Sequence, residues 1–272
     1  MASKAPPSNL ALRVASIIAL APMTVVAAWL GGPFFLALVT AAVILAAFEW
    51  ARLCGLKPGF VRTALMLLVP LVALLASFRG VDAAALALIA GLVFVLVGGR
   101  LARADGMAWA AGGMAYLGLP AIAILYLRDV PDAGRWAVLW LFAVVSATDV
   151  GAYAAGRLIG GPRLAPTVSP RKTWAGFLGG IVLAVAAGVA FIAAAFTGAS
   201  QWLAGGLAGI LAVVAQFGDL FESAVKRRFG AKDSGALIPG HGGVLDRIDS
   251  LIFAAPVLAV IVAFGGWSLF QT

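Results

Sequence analysis

The stretch DLFESAVKRRFGAKDSGALIPGHGGVLDRIDS, residues 219–250, lies between two apolar runs and holds much of the charge of this chain. It contains five of the eleven acidic residues of the sequence and its only histidine, His241. The five acidic residues are Asp219, Glu222, Asp233, Asp246 and Asp249. Such a dense polar cluster between apolar segments indicates either a site that binds a ligand or a loop exposed to water. In both interpretations the segments on either side of it are apolar.

The composition predicts a polytopic integral membrane protein. Of the 272 residues, 63% are hydrophobic and 11% are charged, whereas soluble domains are about 25% charged. We predict an all-α fold, because the apolar runs are continuous and do not alternate as barrel strands do. The net charge of +8 is expected of basic residues at the inner membrane face, so nucleic acid is not an expected partner. The single cysteine, Cys54, excludes an intrachain disulfide.

Apolar runs recur along the chain and predict about nine transmembrane helices. The expected spans lie near residues 14–30, 34–51, 61–77, 83–98, 107–127, 136–156, 174–197, 202–217 and 251–269. Residues 1–13 are polar and basic and indicate a cytoplasmic tail. A cleaved signal peptide is the less favoured alternative, because further spans follow at once and no small-residue cleavage site closes the first run.

The basic residues fall on one side of these predicted spans. If the N-terminus is inside, 16 of the 19 basic residues lie in inner segments, and only Arg79, Arg128 and Arg135 lie in outer ones. Positive charge collects on the cytoplasmic side of membrane proteins. We therefore expect a cytoplasmic N-terminus, an external C-terminus and a location in the inner (cytoplasmic) membrane, with the charged loops facing the cytoplasm.

The chain, residues 1–272, is expected to form a single membrane domain with two unlike parts. The N-terminal part, residues 1–135, has short loops and scattered charges. The C-terminal part, residues 136–272, has two long inner loops at 157–173 and 218–250. Because the charges concentrate in those loops, we expect the chemistry at the inner face of the C-terminal part.

Pairs of glycines spaced four residues apart lie inside two of the predicted spans: Gly176 and Gly180, and Gly205 and Gly209. Small residues at this spacing allow helices to approach closely. Packing within the chain is the favoured interpretation, and a dimer interface is the alternative.

The first polar segment, residues 149–176, reads DVGAYAAGRLIGGPRLAPTVSPRKTWAG. Asp149 lies in an apolar run, where a carboxylate requires a cation, a metal ion or water, and Arg157 is the candidate partner on the same helix. The residues before the next apolar run combine hydroxyls with cations: Ser169, Arg171, Lys172 and Thr173. Hydroxyls and free amides at a helix start, beside cations, form an anion site. A solvated basic loop remains the alternative.

The second polar segment begins with a predicted helix over residues 219–229 that Gly230 ends. One face of this helix would carry Asp219, Glu222, Ser223 and Lys226. A loop rich in glycine follows, and these glycines are expected to let the backbone approach a ligand closely. A second polar face begins the last span and consists of Asp246, Asp249 and Ser250.

Carboxylates on two helix ends joined by such a loop form a good site for a hard cation. Mg²⁺ prefers carboxylate oxygens and is commonly shared with substrate phosphates, and two metal ions at one phosphoryl centre are chemically plausible. The alternative is that the charges pair with one another in a solvated loop. His241 has no cysteine or second histidine to complete a zinc site, so it either contacts phosphate or orients a carboxylate. Phosphoryl transfer needs little beyond positioning and charge neutralisation.

Residues 223–249, SAVKRRFGAKDSGALIPGHGGVLDRID, resemble the signature of phosphatidate cytidylyltransferases, also called CDP-diacylglycerol synthases. The upstream DVGAY, GR and SPRKT segments resemble the same family. The resemblance implies an all-helical membrane enzyme that converts CTP and phosphatidate into CDP-diacylglycerol and pyrophosphate, in phospholipid biosynthesis. It also implies Mg²⁺, with a second cation left open, and a homodimer among membrane lipids.

Site residues follow from the resemblance together with the pattern of charges. The expected metal ligands are Asp219, Asp246 and Glu222. The expected catalytic residues are Lys226, Arg227, Lys232, Asp233, His241, Arg247 and Asp249. The expected substrate-binding residues are Asp149, Arg157, Ser169, Arg171, Lys172, Thr173 and Ser223. The chain departs from the family at Ala175, where many members have Glu, and at Arg171, where Lys is common.

Two other functions fit a membrane protein with buried carboxylates. A cation-coupled transporter would use them as ion ligands, but transporters commonly show repeated halves and a site at the membrane midplane. Here the two parts are unlike and the charge lies at one face. Another lipid-phosphate enzyme, such as a polyprenol kinase, is the second alternative.

Overall fold

The computed structural model describes residues 9–237, 242–265 and 269–270, with side chains from residue 20 onward. These ranges contain nine α-helices: α1 (Asn9–Leu30), α2 (Gly32–Leu53), α3 (Phe60–Arg79), α4 (Val81–Leu101), α5 (Met107–Asp129), α6 (Gly134–Leu158), α7 (Trp174–Ala195), α8 (Gln201–Arg228) and α9 (Leu245–Ala263). Seven of them, α2 to α8, are long and apolar enough to cross a membrane. The all-α class and the polytopic membrane architecture are thereby confirmed.

The last two long helices differ from their predicted bounds. Helix α8 is continuous over 28 residues, whereas the sequence predicted a span at 202–217 and a separate polar helix after it. Helix α9 begins at Leu245, before the predicted span at 251–269. Within the predicted inner loop, 218–250, the non-helical segment covers residues 229–244, and the helix predicted over 219–229 is the continuation of α8. Charged residues at these helix ends pair with one another, since Lys226 of α8 contacts Glu222 and also Asp246 of α9.

The predicted loop between α6 and α7 contains a short antiparallel hairpin. Its strands are β1 (Arg163–Ala165) and β2 (Ser169–Thr173), with Arg163 opposite Thr173. Thr173 also caps α7, because its hydroxyl accepts a hydrogen bond of 3.1 Å from the backbone N–H of Gly176. The expected hydroxyl at the helix start is therefore confirmed for Thr173, while Ser169 lies at the beginning of β2.

Glycines let α6 and α7 pack backbone against backbone. A Cβ atom on Gly176 would lie 2.8 Å from the carbonyl oxygen of Ala152, and one on Gly180 would lie 2.9 Å from that of Thr148. On α8, a Cβ atom on Gly205 would lie 3.3 Å from Val189 of α7. The prediction that these small residues serve packing within the chain is confirmed. This packing places the hairpin against the helix that carries Asp149.

Aromatic side chains join the N-terminal part to the C-terminal part. Trp50 of α2 donates a hydrogen bond of 2.8 Å to the carbonyl oxygen of Trp109 in α5. The Tyr116 ring of α5 lies 4.9 Å from that of Trp50 and 5.4 Å from that of Phe221 in α8. Phe221 in turn lies 5.4 Å from Phe253 of α9. These aromatic contacts pack α2 against α5, and α5 against α8 and α9, the two helices that carry Asp219, Glu222, Asp246 and Asp249.

Candidate active site

Lys226, near the end of α8, connects α8 to α9 through two carboxylates. Its Nζ lies 2.7 Å from Oδ1 of Asp246 and 3.3 Å from Oε2 of Glu222. Glu222 and Lys226 lie one helical turn apart, as the sequence predicted. All three side chains are almost excluded from solvent, with exposed fractions of 0% for Glu222, 9% for Asp246 and 11% for Lys226. Removing one partner of a pair this deeply buried leaves an uncompensated charge, so the arrangement is strongly constrained.

Asp246 also holds the loop that precedes α9. The backbone N–H of Ser234 donates to both of its carboxylate oxygens, at 3.2 and 3.1 Å. The backbone N–H of Gly243 donates to Oδ2 at 2.8 Å. Asp246 therefore ties both ends of the loop over residues 229–244 to the first turn of α9, and both of its oxygens already accept hydrogen bonds.

Three further carboxylates gather beside Asp246. The carboxyl groups of Glu222 and Asp249 contact each other across α8 and α9, and Asp219 contributes negative potential at the same place. The backbone N–H of Ser250 donates to Oδ1 of Asp249 at 2.7 Å. Within the described part of the chain, Oε1 of Glu222 receives no hydrogen-bond donor. We call Asp219, Glu222, Asp246 and Asp249 the acidic cluster.

The chemistry of the acidic cluster fits a hard divalent cation. Neighbouring carboxylates repel each other unless a proton or a cation lies between them, and carboxylate oxygens are preferred ligands of Mg²⁺. Glu222 is the member with a free oxygen, because its Oε1 receives no hydrogen-bond donor among the described residues. Both oxygens of Asp246 and both oxygens of Asp219 already contact a lysine, a hydroxyl or loop amides.

The hairpin contributes a cation to this cluster. Nζ of Lys172, in β2, lies 2.5 Å from Oδ2 of Asp219. The hydroxyl of Ser223 donates to Oδ1 of the same carboxylate at 3.4 Å. The two predicted polar segments thus form one site, which Lys172 and Asp219 join.

Arg227 holds the hairpin against α8. Its Nε donates to the carbonyl oxygen of Val168 at 3.3 Å, and its Nη1 donates to that of Ala231 at 2.9 Å. These contacts link the hairpin to the loop that follows α8. In this structure Arg227 organises the two loops, and its predicted catalytic role stays a prediction.

Asp149 of α6 faces the same region. The side chain of Ser250 forms a hydrogen bond with it, and Lys172 and Arg247 are its cationic neighbours. Each of these neighbours comes from another element of the fold. The carboxylate inside an apolar run is therefore balanced by the C-terminal cluster.

Arg157, the predicted partner of Asp149, lies elsewhere. Its Nη1 donates to the hydroxyl of Tyr153 at 3.0 Å, on an exposed surface. That pairing prediction was wrong, because eight residues along a helix separate two side chains by about 12 Å.

A largely apolar cavity adjoins the site. It has a volume of about 630 Å³ and lies between α1, α2, α5, α6 and α9. Only four of its lining residues are polar: Thr24, Ser146, Asp149 and Arg247. Asp149 and Arg247 line it close to the start of α9. The apolar cavity thus adjoins the acidic cluster. Its volume lies in the range of about 300–1,000 Å³ that is typical of ligand pockets.

The remaining predicted residues lie at the end of α6, in β2 and in the loop that follows α8. Arg157, Arg171, Lys232 and Asp233 are solvent-exposed. His241 lies outside the described residues, so its predicted role is untested.

Glu49 is a site residue that sequence reasoning missed. It lies in α2, is 1% exposed, and its Oε2 accepts a hydrogen bond of 2.9 Å from the backbone N–H of Leu245. The hydroxyl of Ser234 donates to the same oxygen at 3.5 Å. The signal was present in the sequence, since Glu49 is a carboxylate inside the predicted span at 34–51, and ionisable residues in spans are functional by default.

The loop glycines have a different partner from the one predicted. A Cβ atom on Gly235 would lie 2.4 Å from Oε1 of Glu49, and one on Gly243 would lie 2.5 Å from its Oε2. A Cβ atom on Gly242 would lie 2.8 Å from Oδ2 of Asp246. These three glycines therefore admit carboxylates of the protein, and their close approach to a ligand stays a prediction.

Comparison with known proteins agrees with this architecture. The profile of the Cytidylyltransferase family matches residues 11–264. The chain is 42% identical over 254 residues to the phosphatidate cytidylyltransferase of Brucella suis biovar 1 (strain 1330), with 92% of each chain covered. It is 41% identical over 149 residues to that of Staphylococcus saprophyticus, with 55% of this chain and 56% of the relative covered. The chain therefore belongs to the cytidylyltransferase family.

Proposed function

We propose that this protein transfers the cytidylyl group of CTP to phosphatidate, giving CDP-diacylglycerol and pyrophosphate. The observation that carries the proposal is the junction between the apolar cavity and the acidic cluster, at Asp149 and Arg247. A substrate with two acyl chains and a phosphate needs both environments side by side. The relatives are named for this reaction.

The proposed reaction needs positioning more than it needs a strong base. An ionised oxygen of the lipid phosphate attacks the α-phosphorus of CTP, and the bond from that phosphorus to the oxygen bridging to the β-phosphate breaks. Pyrophosphate leaves with that oxygen and its electron pair. Because both reactants are polyanions, the barrier falls when cations neutralise them and when the attacking oxygen is aligned. Lys172 and Lys226 are cations in direct contact with the acidic cluster.

Mg²⁺ is the proposed cofactor. Asp219, Glu222 and Asp249 would hold it, and Asp246 is the fourth candidate ligand. When bound, the ion supplies positive charge to the transferring phosphoryl group. A second cation at the same carboxylates remains part of the proposal.

The active site is proposed to face the cytoplasm at the inner face of the cytoplasmic membrane, where CTP arrives from solution and phosphatidate from the bilayer. The charge asymmetry of the loops supports this orientation. Single cysteines test it, introduced as R79C and R103C in a Cys54→Ala background. A membrane-impermeant maleimide applied to intact cells should label residue 79 and spare residue 103; the reverse pattern would overturn the orientation.

A homodimer is proposed from the family resemblance. The glycine pairs on α7 and α8 contact neighbouring helices of the same chain, so a dimer would have to use another lipid-facing surface. Light scattering of the protein in detergent, with the detergent mass subtracted, should give twice the mass of one chain, and a monomeric mass at all protein concentrations would reject the dimer.

Pyrophosphate release tests the proposed reaction. Purified protein with CTP should release pyrophosphate only when Mg²⁺ and phosphatidate are both present. Diacylglycerol is the matched control, because it keeps the acyl chains and lacks the attacking phosphate. Release that is equal with diacylglycerol, or that needs no lipid, would reject phosphatidate as the acceptor.

A further inference from the structure

Glu49 comes from a helix that contributes no other charged group to the site. Its side chain is buried at the inner end of α2, and its Oε2 contacts both the N-terminal amide of α9, at Leu245, and the Ser234 hydroxyl of the preceding loop. These two contacts lie 196 and 185 residues away along the chain. One carboxylate oxygen thus joins the N-terminal part of the protein to Ser234 within the loop and to Leu245 directly after it.

The loop is shaped around this carboxylate. Gly235 has only Glu49 atoms as the three nearest neighbours of a would-be Cβ, at 2.4, 2.8 and 3.0 Å. Gly243 likewise has no room for a side chain. The two atoms nearest to its would-be Cβ are the hydroxyl oxygen of Ser234 and Oε2 of Glu49. Two glycines that the sequence places eight residues apart therefore make room for one acidic side chain.

The residues that Glu49 contacts are the ones that orient the acidic cluster. Ser234 presents its backbone N–H to Asp246, and Gly243 does the same from the other end of the loop. Leu245 immediately precedes Asp246 on α9, and Asp249 follows one turn later. A shift of the loop or of the first turn of α9 would move both carboxylates relative to Glu222 and Asp219 on α8.

We infer that Glu49 is a positioning residue for the cytidylyl transfer: by accepting hydrogen bonds from Leu245 and Ser234, it fixes the loop and the start of α9 so that Asp246 and Asp249 meet the carboxylates of α8. This inference rests on the proposed function only for its activity readout. The hydrogen bonds themselves depend on no substrate or metal ion.

The role requires an acceptor oxygen at the correct reach and does not require a charge. Only Oε2 receives donors, whereas Oε1 receives none among the described residues. Glutamine keeps the length of the side chain and one oxygen, and its amide nitrogen would replace the oxygen that receives no donor. Aspartate keeps the charge but is one methylene shorter, so it draws the oxygens back towards α2.

Three variants separate the effect of side-chain length at position 49 from the effect of its charge: Glu49→Gln, Glu49→Asp and Glu49→Ala. Turnover is measured as kcat per folded enzyme at saturating CTP, phosphatidate and Mg²⁺, with the folded fraction taken from thermal melts in detergent. The matched control is Asp105→Asn, which removes an exposed carboxylate from the N-terminal part.

Glu49→Ala and Glu49→Asp should lower kcat by about 100-fold, the cost of displacing reacting groups by about 1 Å, with KM for CTP changed less than kcat. Glu49→Gln should restore most of the turnover. If Glu49→Asp is active and Glu49→Gln is not, the charge is what matters, and the positioning role is overturned. A normal kcat per folded enzyme in Glu49→Ala would also overturn it, because Glu49 would then serve stability alone.

Gly235→Ala provides an independent test, because the three atoms nearest to its added methyl group all belong to Glu49. Alone, this variant should lower kcat, because it pushes the carboxylate away from its donors. In the Glu49→Ala background the same substitution should have little further effect, since the obstructing side chain is gone. Additive losses in the double variant would contradict the inference.

Amide hydrogen exchange separates failure of the inference from failure of the proposed function. In the absence of substrates, Glu49→Ala should speed exchange at Ser234, Gly243 and Leu245 and leave the capped start of α8, at Leu203, unchanged. Unchanged exchange at all four amides would reject the inference whether or not the wild-type protein transfers cytidylyl groups. Faster exchange in a protein that never shows transfer would instead reject the proposed function and keep the structural role of Glu49.

Discussion

The N-terminal part (residues 1–135) and the C-terminal part (residues 136–272) contribute to the site in different ways. The C-terminal part provides the acidic cluster, the lysines that neutralise it and the hairpin that brings one of them there. The N-terminal part provides Glu49, the aromatic contacts through Trp50 and Tyr116, and much of the cavity wall. The C-terminal part carries the charged groups. The N-terminal part fixes the positions of those groups and forms much of the apolar cavity beside them.

This difference shows that one charged residue of the N-terminal part is enough to position the charged groups of the C-terminal part. A buried acceptor that loses its donor costs about 1–3 kcal/mol, so a single carboxylate at the end of α2 constrains two loop positions and a helix start. Charge density locates the chemistry along the chain, while the packing of weakly charged helices determines its shape.

The largest expected effect comes from the C-terminal part. Asp246→Asn should lower kcat by about 10³-fold, because it removes a charge that Lys226 and two loop amides all contact. Turnover of detergent-purified variant and wild-type protein measures the loss, with Asp105→Asn as the control. Turnover within a few-fold of wild type would contradict the assignment of the chemistry to the C-terminal part, since the acidic cluster would then not be its centre.

Lys172→Ala should have the next largest effect. Loss of this cation from Asp219 should lower kcat/KM by about 10- to 100-fold, the worth of a hydrogen bond to a charged group. Separate titrations of CTP and phosphatidate identify the substrate that the hairpin contacts. The matched control is Lys57→Ala, an exposed lysine of the N-terminal part. Unchanged constants for both substrates would return the hairpin to a solvated basic loop.

The cavity wall of the N-terminal part should affect one substrate only. Ala42 of α2 lines the cavity, and Ala42→Phe should raise KM for long-chain phosphatidate by about 10-fold through overpacking. KM for CTP and for a short-chain phosphatidate should stay near wild type. Leu86→Phe, on the exposed face of α4, is the control. Equal losses with both chain lengths would mean that the cavity does not hold acyl chains.

The smallest effect is expected at Cys54, at the end of α2. Burial raises the pKa of its thiol to about 12, so it stays protonated and unreactive at neutral pH. Cys54→Ala should change the free energy of unfolding by about 1 kcal/mol and leave turnover close to wild type, as measured by thermal melts and pyrophosphate release. Loss of activity in this variant would show that the N-terminal part contributes more to the chemistry than Glu49 alone.

The sequence predicted the helices well because continuous apolar runs leave few alternatives in a bilayer. It also predicted that Glu222 and Lys226 share a face of one helix and that Asp246 and Asp249 share a face of another. Helical periodicity fixes such relations within one element. The assignment of Gly230 as the end of α8 is confirmed by its φ of +67°, a conformation that glycine adopts without strain.

Relations between elements were harder to predict. Pairing Asp149 with Arg157 assumed a partner on the same helix, whereas the balancing groups came from the hairpin and α9. Glu49 resembled an ordinary residue near a span end, since its partners lie far along the chain. The hairpin of β1 and β2 was missed because strands of three and five residues carry no clear alternation of apolar and polar residues. Each miss concerns a contact that only the packed structure brings together.

Transfer of differently labelled CTP into lipid tests the central claim most directly. The purified protein is given phosphatidate and Mg²⁺ with CTP labelled on either the α-phosphate or the γ-phosphate, and the chloroform-soluble product is counted. We predict that label from the α-phosphate enters the lipid and that label from the γ-phosphate stays in water as pyrophosphate. Label from the γ-phosphate in the lipid would indicate a kinase, and no lipid label from well-folded protein would contradict cytidylyl transfer altogether.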